Sequence, residues 1–198
     1  MRRIVTFDNV SAEGYFADPD GKLEWVVPDV EIYRTAAART PEIDMILFGR
    51  RTYQMFEGFW PHALDDSSAA DPHDGRRRSP AVRDQAIWLN ETAKLVFSRT
   101  LKSVTWKSSR LLHDLNPGEI EAMKAGPGGD MIVFGSGSIA SQLTEHGLVD
   151  EYQFVVSPIL LGAGRPLLSG VSKRLKLDLL EAKQYQSGNV LLRYAPQK

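Results

Sequence analysis

Cysteine is absent from the 198-residue chain. That excludes a disulfide framework and thiolate metal sites, and it fits a reducing compartment, so a cytoplasmic protein is expected. Histidine is sparse. His62, His73, His113 and His146 are scattered, with none of the spacings that metal ligands need, so no metal is expected. No apolar run approaches the length of a membrane span, and MRRIVTFDNV at the N-terminus has too short an apolar core for a signal peptide. An excess of either charge is missing as well. The formal net charge is −1, which leaves no electrostatic footprint for nucleic acid or an acidic membrane. There is no internal repeat and no low-complexity tract. The chain is 42% hydrophobic, enough for a sizeable core, and its length predicts one domain over residues 1–198.

The richest stretch is MIVFGSGSIASQLTE, residues 131–145. Its first four residues form a short run of β-branched and aromatic side chains, as expected of a buried parallel strand. Gly135-Ser136-Gly137 breaks the run, and from Ser138 helical spacing resumes with Ile139 and Leu143 on one face. A strand, a glycine turn and a helix in succession bring unpaired N–H groups and a positive helix end to one point, which suits phosphate. In isolation an ordinary βα turn has the same sequence signature.

Along the rest of the chain, residues 3–9 predict a first strand and residues 11–20 a loop or short hairpin, with a turn at Asp18-Pro19-Asp20-Gly21. Helical spacing runs from Pro28-Asp29 to Arg39 and ends at Thr40-Pro41. Residues 44–48 predict a second buried strand, and a helix begins at Thr52. Residues 58–79 are polar and turn-rich, the composition of a surface excursion or lid; Arg76–Arg78 within it reads as a solvated face or a phosphate contact. A helix over 80–90 turns Val82, Ala86 and Leu89 inward, and strands are expected at 93–97 and 104–107. Asn116 is placed as the N-cap of a helix that opens at Pro117 and runs to about Lys124. A strand over 150–157, a glycine-containing loop over 158–168 and a closing antiparallel hairpin over 175–194 complete the chain. This alternation predicts an α/β three-layer sandwich with a mainly parallel central sheet closed by a C-terminal antiparallel hairpin.

In parallel sheets, ligands sit beyond the carboxyl ends of the strands. Three turns there carry groups suited to phosphate: Gly49-Arg50-Arg51-Thr52, Ser98-Arg99-Thr100 and Gly135-Ser136-Gly137-Ser138. Together they predict a nucleotide pocket.

The segments DMILFGRRTYQMF, KLVFSRTL and MIVFGSGSIASQL, in that order, resemble the dihydrofolate reductase-like fold. Gly58-Phe59-Trp60-Pro61, Asp150-Glu151, Pro158-Ile159 and the run from Leu161 to Leu167 bring the chain closer to the C-terminal reductase domain of the bifunctional riboflavin-biosynthesis deaminase-reductase. The resemblance covers nearly the whole chain. It implies an NADPH-dependent reductase of a small heterocycle, such as 5-amino-6-(5-phosphoribosylamino)uracil or a dihydrofolate-like pterin, working as a homodimer. It further implies that Gly49, Arg50, Arg51 and Thr52 meet the cofactor phosphates. On the same ground Ser98 and Arg99 lie near the adenosine 2′-phosphate, and Gly135, Ser136, Gly137 and Ser138 hold the pyrophosphate. Arginine suits a 2′-phosphate, whereas an NAD fingerprint wants an acidic residue on the ribose, so NADPH is favoured over NADH. No deaminase segment precedes the reductase-like one, and without cysteine the usual zinc-deaminase ligand set cannot be built, so a stand-alone reductase is expected.

On the substrate side, Asp29 follows Trp25 and Pro28 at a spacing that resembles the place of the substrate-binding acid in dihydrofolate reductase. A carboxylate there could bind a ring and pass on a proton; equally, Asp29 and Glu31 suit a helix first turn. Trp25, Tyr53, Phe56 and Trp60 are candidates for an aromatic wall, or for core. Asn9 or Ser11 would face the nicotinamide amide, unless the register turns Asp8 into the cleft instead. Arg165 suits a substrate phosphate or an intersubunit ion pair. Two other functions stay open: a nucleotide-binding module without catalysis, and a reductase of an unrelated small carbonyl or imine compound.

Overall fold

The computed structural model describes residues 1–27, 29–37, 42–65 and 80–197. Pro28, Thr40-Pro41, His73 and Arg76–Arg78 therefore lie outside the described residues. In chain order the elements are β1 (Ile4–Ser11), β2 (Tyr15–Ala17), α1 (Val30–Ala37), β3 (Ile43–Gly49), α2 (Arg50–Glu57), a 3-10 turn (Trp60–His62), α3 (Pro80–Glu91), β4 (Ala93–Phe97), β5 (Ser109–Leu112), α4 (Pro117–Ala125), β6 (Asp130–Phe134), α5 (Gly137–Glu145), β7 (Glu151–Ser157), β8 (Arg165–Pro166), β9 (Leu177–Gln184) and β10 (Val190–Pro196).

Eight strands form one sheet in the order β5-β4-β3-β6-β1-β7-β10-β9. Strands β5 to β7 in that order run parallel, with Ile4 opposite Met131 and Val5 opposite Glu151. The C-terminal hairpin adds β10 and β9 antiparallel at one edge, as its sequence leads one to expect. Strands β2 and β8 pair separately.

Parallel strands covered on both faces need apolar side chains of both parities, and the core divides accordingly. Ile4, Leu47, Leu95, Met131 and Val133 pack against Ile120 of α4 and Ile139 and Leu143 of α5. Their neighbours along the strands, Ile46, Phe48, Val96 and Ile132, pack on the other face against Tyr53 of α2 and Val82, Ala86 and Leu89 of α3. Beside them, Ile32 of α1 lies with Val155 and Leu191, and Phe7 packs against that group. Helices cover both faces of the central sheet, the three-layer sandwich expected. The Asn116 side chain accepts from the amides of Gly118 and Glu119 at 3.0 and 3.4 Å, the N-cap its sequence predicts.

Residues 104–107 are not a strand; the strand lies at β5. Trp106 is apolar because it is core, buried in the cluster around Phe48 and Tyr53. Its amide donates to Tyr53 Oη at 3.1 Å, and the Thr105 amide does so at 3.2 Å, so neither joins a ladder. A positive φ at Ser108 (60°) turns the chain, and pairing starts only with Ser109 opposite Lys94. Helix α2 begins at Arg50, directly after Gly49, without the two-residue lead the pattern implied.

Two buried charges stand out. Lys94, 1% exposed, donates to the carbonyls of Thr92 (2.7 Å) and Lys107 (3.0 Å) and lies 4.4 Å from the centroid of the Trp106 ring. Desolvation lowers its ammonium to about 8. Glu151, also 1% exposed, sits between Arg193 at 2.7 Å and Arg3 at 3.4 Å.

Candidate functional site

The parallel sheet brings the carboxyl ends of β4, β3 and β6 side by side, with Phe97 opposite Gly49 and Leu47 opposite Val133. The three predicted turns follow those strands and so share one edge. Two of them touch. The Gly49 amide donates to Ser136 Oγ at 3.0 Å, and the Ser136 amide donates to Thr52 Oγ1 at 3.2 Å. A Cβ on Gly49 would stand 3.3 Å from Ile139 Cγ1 and 3.6 Å from Ser138 Oγ, so glycine is what lets the turns approach this closely. Gly135 and Ser136 both take a left-handed conformation at φ 52°, which turns the chain abruptly from strand into helix. Gly137 is pinned from behind: an added Cβ would meet Leu167 O at 2.7 Å.

Neither helix start carries a side-chain cap. The N-cap positions, Gly49 of α2 and Ser136 of α5, make no side-chain hydrogen bond to their first turns. First-turn amides that no side chain caps suit an anion, and the two helix dipoles converge on the same place. Arg50 and Arg51 are exposed beside it, and among the described residues neither is ion-paired. Ser138 is exposed on the first turn of α5. Paired, uncapped helix ends with glycine at the closest approach fit a pyrophosphate.

Ser98 is buried, and its hydroxyl accepts from the amides of Thr100 and Leu101 at 3.2 and 3.0 Å, which shapes the third turn. Arg99 is exposed and bound to Asp114, Nε to Oδ1, at 2.5 Å. His113 and Arg99 together hold the Asp114 carboxyl below its usual range.

Strand parity separates the residues of β1. Asn9 shares the parity of Phe7, on the face covered by α1 and α3, and is half-buried. Asp8 has the parity of Ile4 and points to the α4 and α5 side. It is 1% exposed, and neither carboxylate oxygen has a hydrogen-bond partner. Burial pushes its carboxyl well above the usual range. Ser11 Oγ is taken by the Tyr15 amide at 3.1 Å.

The remaining substrate-side residues are tied up within the chain. Asp29 Oδ1 accepts from the Glu31 amide at 2.7 Å, and its Oδ2 accepts from the Ser187 hydroxyl in the C-terminal hairpin turn. These are the bonds of a helix-start residue. Trp25 donates its indole N–H to Lys22 O at 3.2 Å. Tyr53 and Trp60 are core, 1% and 7% exposed, with Phe56 packed against them. Arg165 donates to the Pro19 carbonyl at 3.0 and 3.2 Å and so fastens the loop after β2. Among the described residues no group of three or more His, Cys, Asp or Glu is arranged to hold a metal ion. No helix among them is long and apolar enough to cross a membrane.

Known proteins share this fold. The family model for the RibD C-terminal domain matches residues 3–191. The uncharacterized protein YyaP of Bacillus subtilis (strain 168) is 26% identical over 196 residues, spanning 98% of this chain and 95% of that protein. A crystal structure from Shewanella sp. PV-4, provisionally assigned to riboflavin biosynthesis, superposes with a TM-score of 0.73 at 22% identity, with full coverage of both chains. Dihydrofolate reductase from Enterococcus faecalis, complexed with NADP(H) and RAB-propyl, superposes with a TM-score of 0.61 at 11% identity, covering 99% of this chain and 97% of that one. These superpositions establish a dihydrofolate reductase-like fold.

Proposed function

The chain belongs to the RibD C-terminal domain family, and on that premise we propose that it is an NADPH-dependent reductase of a small heterocyclic substrate, one domain over residues 1–198, acting in the cytoplasm as a homodimer. One observation carries the reading. Two uncapped helix N-termini meet at the Gly49–Ser136 hydrogen bond, beyond the carboxyl ends of adjacent parallel strands. That junction suits the pyrophosphate of a dinucleotide, with Gly49 and Gly135 allowing the close approach, Gly137 and Ser138 supplying first-turn amides, Thr52, Ser136 and Ser138 supplying hydroxyls, and Arg50 and Arg51 supplying charge. Ser98 and Arg99 follow β4, on the flank where the adenosine end would lie. A bound nicotinamide cofactor supplies the hydride; the protein's part is to hold the ring against its acceptor and keep bulk water out. Asn9, near the carboxyl end of β1, is our candidate for a hydrogen bond to the carboxamide of such a ring.

The Thermotoga maritima deaminase and 5-amino-6-(5-phosphoribosylamino)uracil reductase shares the fold at a TM-score of 0.62 and 15% identity, with this chain spanning 57% of it. That likeness supports a pyrimidine as the first substrate class to try. Homodimer formation is supported by Leu179 and Leu180, 58% and 51% exposed on β9 at the open edge of the sheet. A nucleotide-binding module without catalysis is the second reading, favoured by the engagement of both Asp29 oxygens within the chain.

The test is a titration of the purified protein with NADPH and, separately, NADH, followed by nicotinamide fluorescence. Tight binding that depends on the 2′-phosphate is expected. If neither nucleotide binds, the reductase reading falls.

A further inference from the structure

A carboxyl group lies buried beside the turn assigned to the pyrophosphate. Phe7 is level with Phe134 in the parallel β1–β6 pair, and its carbonyl accepts from the Gly135 amide at 3.1 Å. Asp8, the next residue, is therefore level with Gly135, on the face of the sheet where α5 opens at Gly137. Its side chain is 1% exposed, and among the described residues neither carboxylate oxygen has a hydrogen-bond partner. Thr6, the preceding residue of the same parity, makes no hydrogen bond through its hydroxyl either.

A carboxylate enclosed in this way, with neither donor nor cation, is costly, and the neutral acid is far less so. The surroundings supply no compensating charge. Val133 of β6, Tyr152 and Phe154 of β7, and Ile139 and Leu143 of α5 lie on the same face. Of these only Tyr152 titrates; its phenol donates to Thr144 Oγ1 at 2.9 Å and is itself raised by burial. Phe16 and the Leu167 carbonyl, which close on Gly137 from behind, bring no charge. No charged side chain contributes to the upward push that burial gives Asp8. The first turn of α5 offers its positive end both to Asp8 and to a bound pyrophosphate, so a negative charge on one weakens the hold on the other.

Resting on the reductase reading above, we propose that a proton on Asp8 is part of the cofactor site: the dinucleotide binds the protein whose Asp8 is neutral, and ionised Asp8 repels the pyrophosphate across the Gly135 turn. Cofactor and proton are taken up together, and the O–H of the carboxyl is the only bond made. By linkage each raises the affinity for the other by the same factor.

The experiment is calorimetric titration of the protein with ADP-ribose between about pH 5 and 9, in paired buffers of different ionisation enthalpy. NADPH is titrated alongside at about pH 7.5 to test the cofactor reading by itself. ADP-ribose carries a pyrophosphate whose charge does not change over this range, so protons taken up on binding go to the protein. The wild type is expected to lose at least about tenfold in affinity as Asp8 ionises, and to take up protons on binding over the same interval. Asp8→Asn keeps every other titrating group and should bind ADP-ribose without that loss or that uptake. Tyr152→Phe should keep the wild-type profile. Carbon-13 NMR of the aspartate carboxyls in the unsubstituted protein reads the same proton, even where Asp8→Asn fails to fold. One aspartate should titrate far above the rest, and higher still with ADP-ribose bound. No binding of ADP-ribose, a wild-type affinity independent of pH, a profile unchanged in Asp8→Asn or lost in Tyr152→Phe, or the lack of a high-titrating aspartate would each overturn the proposal. If ADP-ribose shows the expected coupling and NADPH does not bind, the proton-linked anion site stands and the reductase reading falls. If NADPH binds and ADP-ribose binding is flat with pH, the cofactor reading stands and Asp8 is only a buried acid.

Discussion

The backbone amide of Gly49 donates to the side chain of Ser136, 87 residues further along, at 3.0 Å. Two turns far apart in the chain are thereby held as one surface. Ser136→Ala leaves the buried Gly49 N–H unpaired and should cost about 1–3 kcal/mol in denaturant unfolding. Ser136→Gly loses the same bond but relieves a non-glycine residue at φ 52°. It should therefore be more stable than the alanine variant by about 1 kcal/mol. Both variants should bind NADPH more weakly. An alanine variant as stable as wild type would show that the bond contributes nothing.

Arg99 and Asp114 form a switchable pair at the adenosine flank. The carboxylate that holds Arg99 at 2.5 Å also repels any phosphate placed there. Asp114→Asn should tighten NADPH while leaving NADH unchanged, and Arg99→Ala should weaken NADPH by about tenfold with little effect on NADH. Parallel fluorescence titrations with the two nucleotides check this. Equal changes for both would separate Arg99 from the 2′-phosphate.

Asp29 offers a clean contrast between capping and chemistry. Asp29→Ala removes the acceptor for the Glu31 amide and should cost about 1 kcal/mol of stability. Asp29→Asn keeps an acceptor oxygen and should stay within about 0.5 kcal/mol of wild type. Turnover and its pH profile in the asparagine variant are expected to persist once a substrate is in hand. A collapse of turnover with stability intact would assign Asp29 to proton delivery.

Lys94 should give the protein an alkaline stability gain. Burial lowers its ammonium from 10.5 to about 8. Between those values the unfolded chain holds the proton more tightly than the folded one, so the contribution of this group to stability rises with pH. The gain is at most about 3 kcal/mol by the linkage relation. The stability difference between wild type and Lys94→Met, followed by urea unfolding from pH 7.5 to 10, should move in favour of wild type. A flat difference would mean that the lysine titrates normally.

Much of this architecture is written locally. The strand runs of β3, β4 and β6 are apolar at consecutive positions because helices cover both faces, and each is cut by Gly49, Ser98 or Gly135. Their turns are therefore visible as one predicted edge. That Gly49 and Ser136 bond to each other is not, since it depends on β3 and β6 being neighbours, which no local pattern encodes. Trp106 shows the opposite failure: burial through a loop mimics the apolar signature of a strand, and β5 itself, SRLL, is weakly apolar. Trp60 likewise has the character of a wall for a ring and is packed as core. Position 8 of β1 has no assignable face until pairing fixes the register.

The position of β1 in the sheet bears on how the chain is made. This strand is translated well before both its neighbours, β6 and β7, which lie beyond residue 129. During synthesis it must wait through about two-thirds of the polypeptide with its ladder groups unpaired and its Ile4, Val5 and Phe7 uncovered, and the sheet then closes across long chain separations. Such delayed, non-local pairing favours slow folding and exposes the waiting strand to misassociation. Substitutions that weaken β6 should therefore lower soluble yield more than they lower the stability of the finished protein.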